Sequence, residues 1–573
     1  MASSTAQQQA PSKGTPIAGE AFLRALADHG IDYFFANPGT DFPPIVEAYA
    51  RAEQSNAKVP QPLVIPHECI AVAMAHGAYL MNGRVQAVML HVNVGTANAI
   101  SNVINLYRDH VPLILAAGGS PITEKGSFGS RNRYIHWAQE MFDQAGMLRE
   151  SVKWDYTLKV PEQVGDVVSR AYEVSMTSPR GPVYLVLPRE PLAAPLPELP
   201  EPLKPRDVPG LAHPDPNKIA TLAEWIASAE KPLIITSALQ PSAVEPLAAL
   251  ADRYGIPVVT QRQRTVCLPT SHPMHMGYDP DGFVQEADLI LCSEADVPWI
   301  PGEQTTKPGC RFATMGEDPA FSRYPMRSFP SDLAITADAA AGFAALDQAL
   351  AGLSVSKERI EARRKEAAAR KAARAEKLAK VSAEPKDDVI TQAYLSRMIG
   401  ETVGPEAVIF NEYSMQQDHC PREKPQTFYG LSPAGGLGWG LGAALGAKLA
   451  APEKLVVATL GDGAYMFNNP TVGHWVAQNF NLPILTIIFN NSRYGAVRGA
   501  TMSMFKDGVA GENNGRLMAD LAPNTPFEAM VTALGGFGER VEKASELPAA
   551  LQRARDAVVK EGRQALLNVT VPY

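Results

Sequence analysis

Residues 455–494, LVVATLGDGAYMFNNPTVGHWVAQNFNLPILTIIFNNSRY, decide how the rest of the chain is read. Residues 455–460 form a short apolar, partly β-branched run stopped by glycine, the pattern of a buried parallel strand. Asn469 and Pro470 read as the N-cap and first position of a helix that reaches about Phe480. Residues 483–489 (PILTIIF) supply the next strand, with Asn490-Asn491 at its end. Ligands gather at the carboxyl ends of strands in open α/β sheets, so Asp462 and Asn491 are predicted to emerge on one edge. A carboxylate and an amide oxygen there suit magnesium, a hard cation that prefers oxygen donors and shares them with phosphate. The pair Asn468-Asn469, inside the same stretch, reads as a turn.

A second glycine-rich run, Gly436-Leu437-Gly438-Trp439-Gly440, superficially offers a dinucleotide fingerprint with Asp462 downstream. Such a loop must follow a strand directly. Residues 428–434 (FYGLSPA) are instead a polar, glycine-containing approach, which argues against a dinucleotide.

Gly461-Asp462-Gly463, then Asn491 after 29 positions, then NNSRYGAVR over residues 490–498, resembles the thiamine diphosphate enzymes and within them the benzoylformate decarboxylases. The gap is slightly longer than in that subfamily. The resemblance implies that Asp462, Asn491 and the backbone carbonyl of Arg493 bind Mg2+. It also implies that Ser414, Gly461 and the amides of Gly463 and Ala464 meet the diphosphate, that Leu437 and Gly438 lie under the bent cofactor, and that Tyr494 borders it.

The other end of such a cofactor needs an acid near the N-terminus. Glu68 opens an alanine-rich helical stretch, where a glutamate could merely offset the helix dipole. Two features set it apart: the loop Asn37-Pro38-Gly39-Thr40 resembles the first loop of decarboxylase-type thiamine enzymes, and Glu68 precedes His91 by 23 residues, in the benzoylformate decarboxylase spacing to LHVNVGTAN. By resemblance Glu68 hydrogen-bonds the pyrimidine nitrogen and selects its imino tautomer. His91 would then protonate the enamine left when a 2-oxo acid loses carbon dioxide, with Thr40 beside it. Asn93 and His110 are further pocket candidates.

The implied activity is a carbon–carbon lyase: non-oxidative 2-oxo acid decarboxylation. The alternative is a carboligase similar to acetolactate synthase, passing the enamine to a second carbonyl. A 2-hydroxyacyl-CoA lyase and a catalytically silent cofactor-binding subunit rank lower. Val497 and Ala500 stand where the benzoylformate pattern has bulkier residues, and the stretch around Asp296 and Trp299 offers no second pocket histidine, so an aromatic substrate is not implied.

With 573 residues, 46% apolar content and 48 prolines, the chain is too long for one core. The expected fold class is α/β, with three doubly wound parallel-sheet domains: a pyrimidine-binding domain over 16–197, a central domain over 205–350, and a diphosphate- and magnesium-binding domain over 385–573. Residues 355–384 would form a charged linker helix whose interleaved glutamates favour an exposed face over a nucleic-acid surface. KPLIIT, IPVVT and ADLILC are the central strands, and Ser237-Ala238-Leu239 lacks the glycine cluster of a nucleotide loop. A net charge of -8 and a pI near 5.8 leave no nucleic-acid footprint. The N-terminal MASSTAQQQAPSKGTP reads as a disordered leader, no apolar run reaches membrane-spanning length, and five scattered cysteines fit reduced cytoplasm. The resemblance further implies a homodimer or homotetramer with active sites between subunits.

Overall fold

Short apolar strands, most followed by a helix, form three parallel sheets in the computed structural model, which describes residues 10–513 and 515–572. The first contains β1 (Tyr33–Ala36), β2 (Gln61–Val64), β3 (Gln86–Leu90), β4 (Leu113–Gly119), β5 (Asp155–Thr157) and β6 (Pro182–Pro188), in the order β2-β1-β3-β4-β6-β5. The second contains β7 (Pro232–Thr236), β8 (Val258–Thr260), β9 (Leu289–Ser293), β10 (Arg311–Gly316) and β11 (Leu333–Thr336), in the order β11-β10-β9-β7-β8. The third contains β12 (Val408–Glu412), β13 (Phe428–Gly430), β14 (Val456–Gly461), β15 (Leu485–Asn490), β16 (Phe537–Val541) and β17 (Ala565–Thr570), in the order β13-β12-β14-β15-β17-β16. The inner strands are buried along their length, which explains runs such as PVYLVLP and LTIIFN that do not alternate.

Each sheet has a reversal of winding near its centre: between β1 and β3, between β7 and β9, and between β12 and β14. The crevice at such a reversal opens at the carboxyl ends of the strands, where ligands of this fold class bind. The loop after β1 carries Thr40, His91 follows β3, and Asp462 follows β14.

The chain separates into two compact units. One holds residues up to 209 together with 431–453 and 464–484; the other holds 210–430, 454–463 and the residues from 485 onward. In the first unit, helices Ala18–Asp28 and Val164–Met176 pack Phe22, Leu26 and Val168 into one core with β1, β4 and β6. Helices Glu68–Asn82 and Gly440–Ala450 meet backbone to backbone. A methyl group on Gly77 would lie 1.8 Å from the Ala443 carbonyl oxygen, and one on Gly446 would lie 1.9 Å from that of Met74. The run GLGAALGA is therefore a packing face.

In the second unit, the helix Lys357–Val381 matches the charged segment, and Ser356 Oγ caps it by accepting from the Arg359 amide at 3.2 Å. Its exposed character needs correction on one side. Arg363 is buried and donates to the carbonyls of Ile226, Ala229 and Tyr254, at the C-terminal ends of helices Pro216–Ser228 and Pro241–Tyr254. A cation there satisfies carbonyls that the helices leave unpaired and complements their dipoles.

Other local expectations change too. Asn469 has φ +45° and its side chain caps nothing, and a separate helix Asp462–Phe467 precedes Pro470. FYG is a strand, β13, but residues 431–435 still separate it from Gly436. His110 lies in the turn leading into β4, at the edge opposite His91, and so is removed from the pocket candidates. Of the leader, Met1 to Gln9 lie outside the described residues, whereas Thr15 accepts from Arg51 at 2.6 Å and Ile17 bridges Pro195. Among the described residues no helix is long and apolar enough to cross a membrane.

The glycine contact gives a direct expectation. Gly77→Ala forces the two helices apart and should cost about 3 kcal/mol or more, the upper range of overpacking, read as a lowered urea midpoint; an unchanged midpoint would refute the contact.

Candidate active site

At the reversal of the third sheet, Gly461 pairs with Phe489, which places Asp462 beside the end of β15. Asn490 is structural: its amide donates to Asn524 and Asn568, and its Oδ1 accepts from the Ser492 amide. Asn491 is left for other work. Its Oδ1 accepts from the Arg493 amide at 3.0 Å, and Asp462 Oδ2 accepts from the same N–H at 3.2 Å. The two expected ligand oxygens thus converge on one point. Asp462 is 4% exposed, and burial holds its carboxyl above the usual range against the pull of the Gly463, Arg493 and Ser492 amides. Among the described residues it meets no cationic side chain. A buried carboxylate beside an amide oxygen and without a counterion fits a magnesium ion. The Arg493 carbonyl accepts from Gly495 at 3.0 Å and keeps a second lone pair.

The surrounding residues make room close to this point. Ser414 Oγ lies 3.2 Å from where a methyl on Gly461 would sit, and the Tyr494 ring covers Gly463. Ala464 is buried in the helix that Asp462 opens. Val497 and Ala500 sit on helix Gly495–Met504, which buries no side chain.

In the first unit, Glu68 is the first residue of its helix, and its Oε2 accepts from the Asn98 amide at 2.6 Å. Asn98, Asn102 and Asn105 recur at helical spacing on helix Val92–Arg108. Asn102 donates to the carbonyl of Gly438, which has φ +90°, and Asn105 exchanges two hydrogen bonds with Gly436. Leu437 is half-buried between these anchored glycines. In the sequence the three asparagines stand at i, i+4 and i+7, the spacing of one helix face.

His91 Nδ1 lies 2.5 Å from Asp41 Oδ1 and Nε2 lies 3.2 Å from the Gln139 amide nitrogen. Asp41 is 3% exposed, and its second oxygen accepts from Val92, whose φ of +36° is costly for a β-branched residue. Two glycines shape the seat: a methyl on Gly39 would meet the imidazole at 2.1 Å, and one on Gly118 would meet Asp41 Oδ2 at 1.8 Å. The hydrogen bond to Asp41 raises the His91 pKa, more than burial lowers it. Asp41 and Gln139 were not singled out from sequence, although Asp41 directly follows Thr40. Thr40 Oγ1 faces His136 Nε2 at 3.4 Å, and Asn93 Oδ1 is buried without a partner among the described residues.

Three thiamine pyrophosphate enzyme models match in order: the N-terminal TPP binding domain at 17–147, the central domain at 219–346 and the C-terminal TPP binding domain at 412–569. The chain belongs to the thiamine pyrophosphate enzyme family. Its relatives in that family include a benzoylformate decarboxylase of Pseudomonas aeruginosa, 28% identical over 83% of this chain and 86% of that protein, and an acetolactate synthase large subunit of Corynebacterium glutamicum, 26% identical over 94% and 84%. In fold it is similar to the crystal structure of benzoylformate decarboxylase from Polynucleobacter necessarius, with a TM-score of 0.79 at 21% identity, covering 97% of this chain and 98% of that one.

In the central domain of this family member, the reversal between β7 and β9 is occupied by the chain itself. Arg264 pairs with Asp296 at 3.1 Å, Tyr324 donates to Asp296 at 2.8 Å, and the Ala238 amide donates to the Glu294 carbonyl. Trp299 packs in the core against Phe312 and Phe329.

The burial of Asp462 has a measurable sign. Its raised pKa means that the metal-free fold loses stability as pH rises from the unfolded carboxyl range through the folded value, and a bound cation removes that cost. Asp462→Asn should leave the metal-free melting temperature unchanged or higher while weakening magnesium binding about 100-fold or more, measured by calorimetry. A lower metal-free Tm with intact magnesium affinity would exclude the assignment.

Proposed function

We propose that the protein is a thiamine diphosphate- and magnesium-dependent lyase that decarboxylates a 2-oxo acid without oxidation and releases an aldehyde. The Asp41–His91 pair carries this reading. The carbon that loses carbon dioxide must take up a proton, and a decarboxylase needs a donor held ready for it. Asp41 accepts from Nδ1–H, so Nε2, which faces the Gln139 side chain, is the nitrogen left to exchange a proton with the substrate, and the hydrogen bond to Asp41 raises the imidazole pKa.

Thiamine diphosphate, when bound, supplies the electron sink for the cleavage. Asp462, Asn491 and the Arg493 carbonyl hold magnesium in this reading. Ser414, Gly461, Gly463 and Ala464 contact the diphosphate, while Leu437, Gly438 and Tyr494 pack on the cofactor. Glu68, steadied by Asn98, exchanges a proton with the pyrimidine nitrogen. Thr40 and Asn93 receive the substrate beside His91. The likeness to family members further supports a homodimer or homotetramer. A second reading, a carboligase similar to acetolactate synthase, is favoured by the exposed helix carrying Val497 and Ala500, which leaves space for a second carbonyl compound.

Product analysis with pyruvate and benzoylformate, each alone and then with an added aldehyde, separates the two readings: free aldehyde from a single substrate supports decarboxylation, and product only with an acceptor supports ligation. His91→Ala should slow aldehyde release about 100-fold or more and leave coupling largely intact. Asp41→Asn should move the alkaline limb of the kcat profile to lower pH, because the imidazolium loses the partner that holds its pKa up. The pair's contribution to stability, present below the ordinary imidazole range and lost as pH rises through the raised pKa, should vanish in the same variant. An unshifted pH profile would remove Asp41 from this role.

A further inference from the structure

Both ring nitrogens of His91 are engaged. Nδ1–H donates to Asp41, and Nε2 accepts from the Gln139 side-chain amide at 3.2 Å. An imidazole nitrogen offers one in-plane direction, used either by a lone pair or by a hydrogen. Gln139 takes that direction at Nε2 in both protonation states: its N–H end donates to the neutral ring, and after a half-turn of the amide its carbonyl end accepts from Nε2–H of the imidazolium. The carbon that must receive the proton needs the same direction. Gln139 and the reacting carbon therefore compete for one hydrogen.

The turn that carries Gln139 is anchored, whereas its side chain is not. Residues Ile135–Ala138 form a single helical turn, and the Gln139 backbone N–H donates to the Ile135 carbonyl at 2.9 Å. His136 is 3% exposed; its Nδ1 accepts from the Asn132 backbone N–H at 3.2 Å and its Nε2 faces Thr40. Arg131 donates to the Pro121 carbonyl at 3.0 Å, and Trp137 Nε1 donates to Glu124 at 3.0 Å. Among the described residues the contact with His91 is the one hydrogen bond of the Gln139 side chain. That side chain can swing to another staggered rotamer without breaking any other bond. The His91 side chain keeps 18% of its surface exposed, so the ring is reachable once Gln139 has moved.

We infer that Gln139 covers the proton-donating nitrogen of His91 and so sets the share of turnovers that end in an aldehyde rather than in a new carbon–carbon bond. The inference rests on the decarboxylase reading, in which His91 is the donor. After carbon dioxide leaves, the electron pair on the carbon has two fates. It takes the proton from Nε2, which leaves a neutral imidazole and leads to the aldehyde, or it bonds to the carbonyl carbon of a second molecule, whose oxygen then takes up a proton. While Gln139 stays on Nε2 the first fate is closed and the second remains open. Gln139 touches His91 and not the reacting carbon, so it is a positioning residue.

Two readouts test this, and one of them needs no turnover. The first is the rate at which diethyl pyrocarbonate acylates His91, followed by peptide mass mapping at a pH where a free imidazole is neutral. Gln139→Leu should raise it about 10-fold, the scale of one hydrogen bond, whereas Gln139→Glu, which holds a proton on Nε2 and still covers it, should not. The second, on the protein loaded with thiamine diphosphate and magnesium, is the molar ratio of free aldehyde to coupled product from pyruvate or benzoylformate with benzaldehyde added. Gln139→Leu should raise that ratio about 10-fold, and Gln139→Glu should leave it unraised. An unchanged acylation rate in Gln139→Leu overturns the cover. Faster acylation with an unchanged product ratio overturns its control of the outcome. Intact aldehyde release in His91→Ala sinks the decarboxylase reading and the partition with it, whereas the acylation rates decide the cover by themselves.

Discussion

The contact on which the first unit depends is the touching of two helix backbones, made possible because Gly77, Gly442 and Gly446 have no side chains. Glu68 opens one of these helices and the glycine-rich loop around Leu437 leads into the other, so the closeness of the helices sets the positions of both. The asparagine row of helix Val92–Arg108 then locks the arrangement, with Asn98 on Glu68, Asn102 on Gly438 and Asn105 on Gly436. Glycine here serves packing: at Gly77 and Gly446 a side chain would collide with a carbonyl oxygen that cannot move without unwinding its helix, and at Gly442 it would meet the Ala73 methyl.

Charge is handled in contrasting ways at the strand ends. Asp41 is buried with a partner, and the pair raises the pKa of His91. Asp462 is buried with backbone amides alone, and its pKa rises because burial penalises the charged form more than those amides favour it. A carboxylate that already has its cation has no need of a metal, whereas one without a cation gains from acquiring one. The third reversal, in the central sheet, follows the first pattern, with Arg264 and Asp296 neutralising each other.

The same economy explains the linker helix. Its sequence is charged on every side, which reads as a solvated rod. Arg363 nevertheless enters the protein because two helix ends present unpaired carbonyls that a guanidinium can satisfy together. A composition-based reading has no access to that partner, since it lies more than a hundred residues away in the chain.

The sequence by itself was enough for the three parallel sheets and for the strand ends bearing Asp462 and Asn491, and by resemblance it singled out Glu68 and His91 at their spacing. These are local signals: apolar runs of strand length, glycine stops and fixed intervals along one chain segment. The tertiary structure decided the rest. It moved His110 to the wrong edge of the sheet, separated Asn490 from Asn491 in role, and joined Asp41 to His91 across 50 residues of chain. Such pairings depend on which loops a sheet reversal brings together. That order is set by strand pairing and the burial of apolar faces, and residue spacing does not encode it.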